Sequence, residues 1–139
     1  MITVRNTQRK IALNKQEIFS TAQKILDIIG YQDYELNILI TNNRTIRVYN
    51  KKYRSIDKPT DILSFSYYPD YNDNEKILGD LILSAEYILR EATKAQIPFK
   101  ERLVVLLVHG VCHLLGYDHV HDKDYRRMRA KEQMILKNL

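Results

Sequence analysis

The chain has 139 residues, 45% of them apolar and 28% charged, proportions that suit one soluble domain around a single core. Its longest wholly apolar run, Leu103–Val108, is far too short to span a bilayer, and the first residues lack the apolar core of a signal peptide. One cysteine, Cys112, cannot close an internal disulfide, which fits a reducing, cytoplasmic setting, while a net charge of +5 suggests a polyanionic partner.

Residues Ile2–Thr7 can form a first strand. Asn14 has the chemistry of an N-cap, with Glu17 three positions on as its capping-box partner. The helix that follows places Ile18, Phe19, Ala22, Ile25, Leu26 and Ile29 at helical spacing and stops at Gly30. The β-rich stretch Glu35–Thr41 predicts a strand. Asn42 or Asn43 then caps a second helix reaching about Arg54, with Ile46, Tyr49, Asn50 and Tyr53 as its inward stripe. Pro59 stops that helix from propagating. Asp61–Tyr67 and Leu78–Ser84 read as an antiparallel strand pair joined by a long, turn-rich, acidic connection. Ser84 can cap a helix that ends before Pro98. The next helix, from Phe99 to Leu115, is apolar on most sides and should be the most buried of all. A last amphipathic helix, Asp122–Leu139, would turn Met128, Met134, Ile135 and Leu139 inward. The pattern predicts a single α+β domain over residues 1–139, a small mixed sheet of about four strands packed by about five helices.

Three of the four histidines fall in one string, HGVCHLLGYDH, from His109 to His119. Positions i and i+4 of a helix lie about 40° apart around its axis, so His109 and His113 project from one face. Gly116 can take the left-handed conformation that ends a helix, letting the chain turn back and bring His119 to the same point. Three imidazoles and an open position form the usual donor set of a catalytic zinc ion. Cys112 points about 100° away from His113 and reads as a small packed apolar residue. His121 lies just past the cluster and reads as a surface or helix-capping residue.

The spacing H-x3-H-x2-G-x2-H matches the metzincin zinc proteases, with one departure. Metzincins carry a glutamate directly after the first histidine, the general base of peptide hydrolysis; here that position is Gly110. The zinc donors are kept and the protease base is lost.

This string, together with YRSIDKPTDILSF from Tyr53 to Phe65 and LGDLILS from Leu78 to Ser84, resembles the YbeY family of bacterial endoribonucleases, also called rRNA maturation factors. The three motifs stand in the family's order, and the resemblance covers nearly the whole chain, more loosely in the N-terminal third. It implies a zinc-dependent, single-strand-directed endoribonuclease acting in ribosomal RNA maturation, notably at the small-subunit 3′ end, and in ribosome quality control. It also implies His109, His113 and His119 as ligands of one zinc ion, and Arg54 beside His113 as functional residues.

The charge pattern adds independent support. Between Arg44 and Lys58 stand six basic residues and one acid, and the C-terminal segment adds Lys123, Arg126, Arg127, Arg129, Lys131 and Lys137. Such clusters supply the sequence-independent part of RNA binding, or form an ordinary solvated face. Arg54 can neutralise charge building on a phosphate, or pair with Asp57 or Asp61 to staple the turn. Tyr49, Tyr53, Tyr67 and Tyr68 suit either base stacking or core and rim packing. Asp118 can orient a ligand or cap the last helix; Asp80 can anchor the site or face solvent from an edge strand. Two other classes stay open. One is a metallopeptidase-like hydrolase with a base from Asp80 or Asp118; the other is a non-catalytic RNA-binding assembly factor with structural zinc.

Overall fold

In the computed structural model, described for residues 1–66, 75–117 and 122–139 with the side chain of Asp122 left aside, nine elements alternate in an α+β order. They are β1 (Ile2–Asn6), α1 (Lys15–Ile29), β2 (Glu35–Thr41), α2 (Asn43–Arg54), β3 (Ile62–Phe65), β4 (Ile77–Ser84), α3 (Ala85–Ala95), α4 (Phe99–Leu114) and α5 (Asp122–Asn138).

Local chemistry sets most of these boundaries. Asn14 Oδ1 accepts the Gln16 and Glu17 amides at 3.0 and 3.2 Å, satisfying two of the donors a helix start leaves open. Gly30 closes α1 at φ +77, a conformation that costs a residue with a Cβ. Asn42, not Asn43, caps α2 by accepting the Thr45 amide at 2.9 Å, and Ser84 caps α3 through Tyr87 N at 3.3 Å. The strand expected over Asp61–Tyr67 is shorter. Asp61 Oδ1 takes the Ile62 amide at 2.7 Å, a local bond that competes with pairing, and Tyr67 lies outside the described residues.

The sheet order is β1-β2-β4-β3, with β1, β2 and β4 parallel and β3 antiparallel to β4 as the spacing predicted. Side chains alternate between its faces. Leu36, Ile38, Ile40, Leu81 and Leu83 join the main core with residues of α1, α3, α4 and α5, and Leu39, Ile82 and Leu63 meet Ile46 of α2 in a smaller cluster on the other side. The sheet thus separates α2 from α4. As expected, α4 is the most buried helix, with Leu103, Leu106, Leu107, Val108, Gly110, Val111, Cys112 and Leu114 all inside. Each large aliphatic side chain so buried contributes about 1.5–3 kcal/mol.

The last helix departs from its predicted face. Met128 and Ile135 are buried and Leu136 packs against the core, but Met134 and Leu139 are exposed. From Ile135, Met134 is turned by one residue, about 100°, and so leaves the seam against α4. No helix among the described residues is long and apolar enough to cross a membrane.

Candidate metal centre and its relatives

Gly110 explains how α4 sits so close to the sheet. A Cβ there would come within 2.7 Å of Ile62 Cδ1 and 2.8 Å of Leu81 Cδ2. The position that holds a general base in metzincins is therefore turned into the core, where a carboxylate has neither space nor solvation. Asp80 faces the α2 side of the sheet with Ile82, and its Oδ1 accepts Asn37 Nδ2 at 2.9 Å. The alternative that Asp80 faces solvent from an edge strand fails, because β4 lies inside the sheet.

With Gly110 inward, His109 and His113 both come to the half-buried side of α4. Their Nε2 atoms lie 3.1 Å apart and the rings cross at 81°. Two nitrogens each ~2.0–2.1 Å from one tetrahedral zinc ion lie roughly 3.3 Å from one another, so this donor pair fits such an ion. The Nδ1 atom of His109 is engaged at 3.4 Å by Glu132 Oε1, reaching over from α5. With its proton on Nδ1 toward that carboxylate, His109 keeps the Nε2 lone pair for a partner. A cavity of about 300 Å³ opens beside this pair, lined by His109, Tyr125, Met128, Arg129, Glu132 and Leu136.

The end of α4 is a Schellman turn. Gly116 N donates to His113 O at 3.0 Å and Tyr117 N to Cys112 O at 3.1 Å, with Gly116 at φ +94. The helix thus ends within one turn of His113 at a left-handed Gly116, as expected of that glycine. Asp118, His119 and His121 lie outside the described residues, and among those described no three His, Cys, Asp or Glu side chains surround one point. Cys112 is fully buried, and burial, with Glu132 nearby, pushes its thiol up to about 12. It is packing, not a donor.

Glu132 went unnoticed in the sequence, yet a signal is there. It stands four residues after Met128 and three before Ile135, an acid on the buried seam of an amphipathic helix. Gly79 is the second omission. Its φ is +148, and a Cβ on it would collide with the Phe65 carbonyl oxygen and with Leu114 Cδ2. The end of β3 and the turn holding His113 are drawn together around that one residue.

Arg54 is exposed at the end of α2, where Ser55 takes a left-handed conformation at φ 60. The buried Asn50 fixes the following turn, donating Nδ2 to Lys58 O at 2.8 Å. Neither carboxylate considered for Arg54 pairs with it. Asp57 is taken by Arg47 Nε at 2.8 Å and Lys51 Nζ at 4.0 Å, and Asp61 by Arg102 at 3.4 Å. Arg102 also holds Glu91 at 3.1 Å; burial and the adjacent Asp61 raise the Glu91 pKa. Tyr49 is half-buried and Tyr53 is 55% exposed, which removes Tyr53 from the expected inward stripe; Tyr67 and Tyr68 are outside the described residues.

The family model described as endoribonuclease YbeY matches residues 3–139. A Geobacter sulfurreducens protein named endoribonuclease YbeY is 39% identical over 139 residues, covering 97% of this chain and 93% of its own. The protein of that name from Syntrophotalea carbinolica is also 39% identical, covering 98% and 93%. Among solved structures, the solution structure of a Thermotoga maritima protein superposes with a TM-score of 0.69 at 22% identity, over 99% of this chain and 88% of that one, and shows the same fold. Matched in motif, in length and in architecture, the chain belongs to the endoribonuclease YbeY family.

Proposed function

We propose that this protein is a zinc-dependent endoribonuclease that cuts single-stranded RNA during ribosomal RNA maturation, at the small-subunit 3′ end, and in ribosome quality control in the cytoplasm. The observation that supports it most is the facing pair of Nε2 atoms on a helix whose protease-base position is closed by packing. The relatives' shared name, endoribonuclease YbeY, supplies the reaction class.

In this reading His109, His113 and His119 hold one zinc ion, and Glu132 keeps the His109 ring turned toward it. When bound, zinc supplies Lewis-acid chemistry that polarises a phosphoryl oxygen and lowers the pKa of water. Arg54 has no carboxylate partner among the described residues, so its guanidinium is available to hold a phosphate and neutralise charge that develops on it. The cations on the outer face of α2 attract the RNA backbone without regard to sequence.

Metal analysis combined with cleavage of a defined single-stranded RNA tests the proposal. The parent should hold about one zinc per chain and cut, whereas His113→Ala should lose both. Cleavage that persists in metal-free protein would overturn it.

A further inference from the structure

We propose that the ring of Tyr53 is a stacking platform for one unpaired RNA base, and that it sets the preference for single strands; this rests on the nuclease reading above. Tyr53 is the most exposed aromatic side chain among the described residues, at 55%. Exposure alone is common, but this ring is also held. Tyr49 lies nearly parallel to it at 6.3 Å and 11°, and Phe65 meets it edge-on at 5.2 Å and 67°. A ring clamped on two sides loses little freedom when a base arrives, which is the condition for stacking to add affinity.

The charges around it suit a nucleotide. Lys52 Nζ stands over the Tyr53 ring, 5.2 Å from its centroid, so a base arriving on that face displaces the flexible ammonium toward its own phosphate. Lys52 and Arg54, on either side in sequence, have no carboxylate partner among the described residues, while Arg47 and Lys51 share the single carboxylate of Asp57. A base on the ring would thus find two cations free of carboxylates for its flanking phosphates.

Position ties the platform to the candidate metal centre. Phe65, which supports Tyr53, abuts Gly79 through its carbonyl oxygen, and Gly79 abuts Leu114, the residue after His113. Tyr53 and Leu114 thus border the same corner of the sheet, at Phe65 and Gly79. Bases inside a duplex are already stacked on each other and cannot occupy such a ring, whereas bases of a single strand can.

The chain has no tryptophan, so Tyr53→Trp adds a sole indole at the platform. Titration with a single-stranded RNA made nuclease-resistant by 2′-O-methyl groups and phosphorothioate linkages should quench that indole. Tyr53→Ala should bind the same RNA roughly ten- to a hundredfold more weakly, Tyr53→Phe within about twofold of the parent, and a blunt two-stranded RNA duplex should bind all of them alike. Equal binding by Tyr53→Ala and the parent overturns the platform and leaves the nuclease reading standing. Weakened binding by Tyr53→Ala with an unquenched Tyr53→Trp also overturns it, since the ring would then only prop Phe65. A parent that neither binds nor cuts single-stranded RNA overturns both.

Discussion

Glu132 Oε1 lies 3.4 Å from Nδ1 of His109, joining α5 to α4 across 23 residues of sequence. A carboxylate so placed fixes the ring's tautomer and orientation, so its removal should be felt at the opposite nitrogen. Glu132→Gln should weaken zinc binding about 10- to 100-fold while the fold stays intact. Competition with a zinc chelator, followed spectroscopically, gives the affinity; unchanged affinity would mean that Glu132 only fills the seam.

Gly110 is the position at which a family of proteases and this chain part ways. Gly110→Ala pushes a methyl against the tips of Ile62 and Leu81, at a cost of about 1–3 kcal/mol. Helix propensity returns roughly 1 kcal/mol of that, so the net loss should be modest. Gly110→Glu buries a carboxylate in the same place and should lower stability by at least about 3 kcal/mol, with no peptidase activity gained. Urea unfolding and a peptide-cleavage assay check the two halves.

Arg54 separates metal binding from turnover. Arg54→Ala should keep its zinc and lose roughly 10²–10³ in the single-turnover cleavage rate. Arg54→Lys should recover only part, because an ammonium cannot hold a phosphate in the bidentate way a guanidinium does. Normal turnover by Arg54→Ala would remove the residue from the mechanism.

Acid should loosen the start of α2. Glu86 Oε1 accepts the Asn43 amide at 3.0 Å, and this bond, more than the nearby Lys10, holds its pKa below the ordinary value of 4.5. The stabilisation is therefore complete above the ordinary value and is lost as pH falls through the lower folded-state value. Glu86→Gln should cost about 1 kcal/mol at pH 7, and the difference from the parent should fade as pH falls below the ordinary 4.5. Thermal melts of both proteins across that range show whether it does.

The features legible in the sequence were those fixed within a few residues. The caps at Asn14 and Ser84, the stop at Gly30 and the turn at Gly116 depend on one side chain or one backbone angle, so residue type was enough. The helical spacing of His109 and His113 gave their common face, and the family motifs gave the rest of the expected site. Long-range partners were another matter. By sequence Asp61 is a candidate partner for Arg54, seven residues back, but it meets Arg102 of α4, 41 residues on. Tyr53 looked inward by period, yet the narrow seam of α2 admits only Ile46 and Asn50 fully. Glu132 was hidden because an acid within an otherwise polar helix resembles surface until its opposite partner is known.

The strand order has a consequence for how the molecule comes into being. β4 is the last strand among the described residues but sits between β2 and β3. Until it is made, the growing polypeptide offers a bare flank on β2 and an orphan β3, and nothing for α4 to settle on. Only after α5 has followed can Glu132 grip His109. Folding of this chain is therefore a late, collective event, and no fragment released early from synthesis can display the clamped imidazole pair.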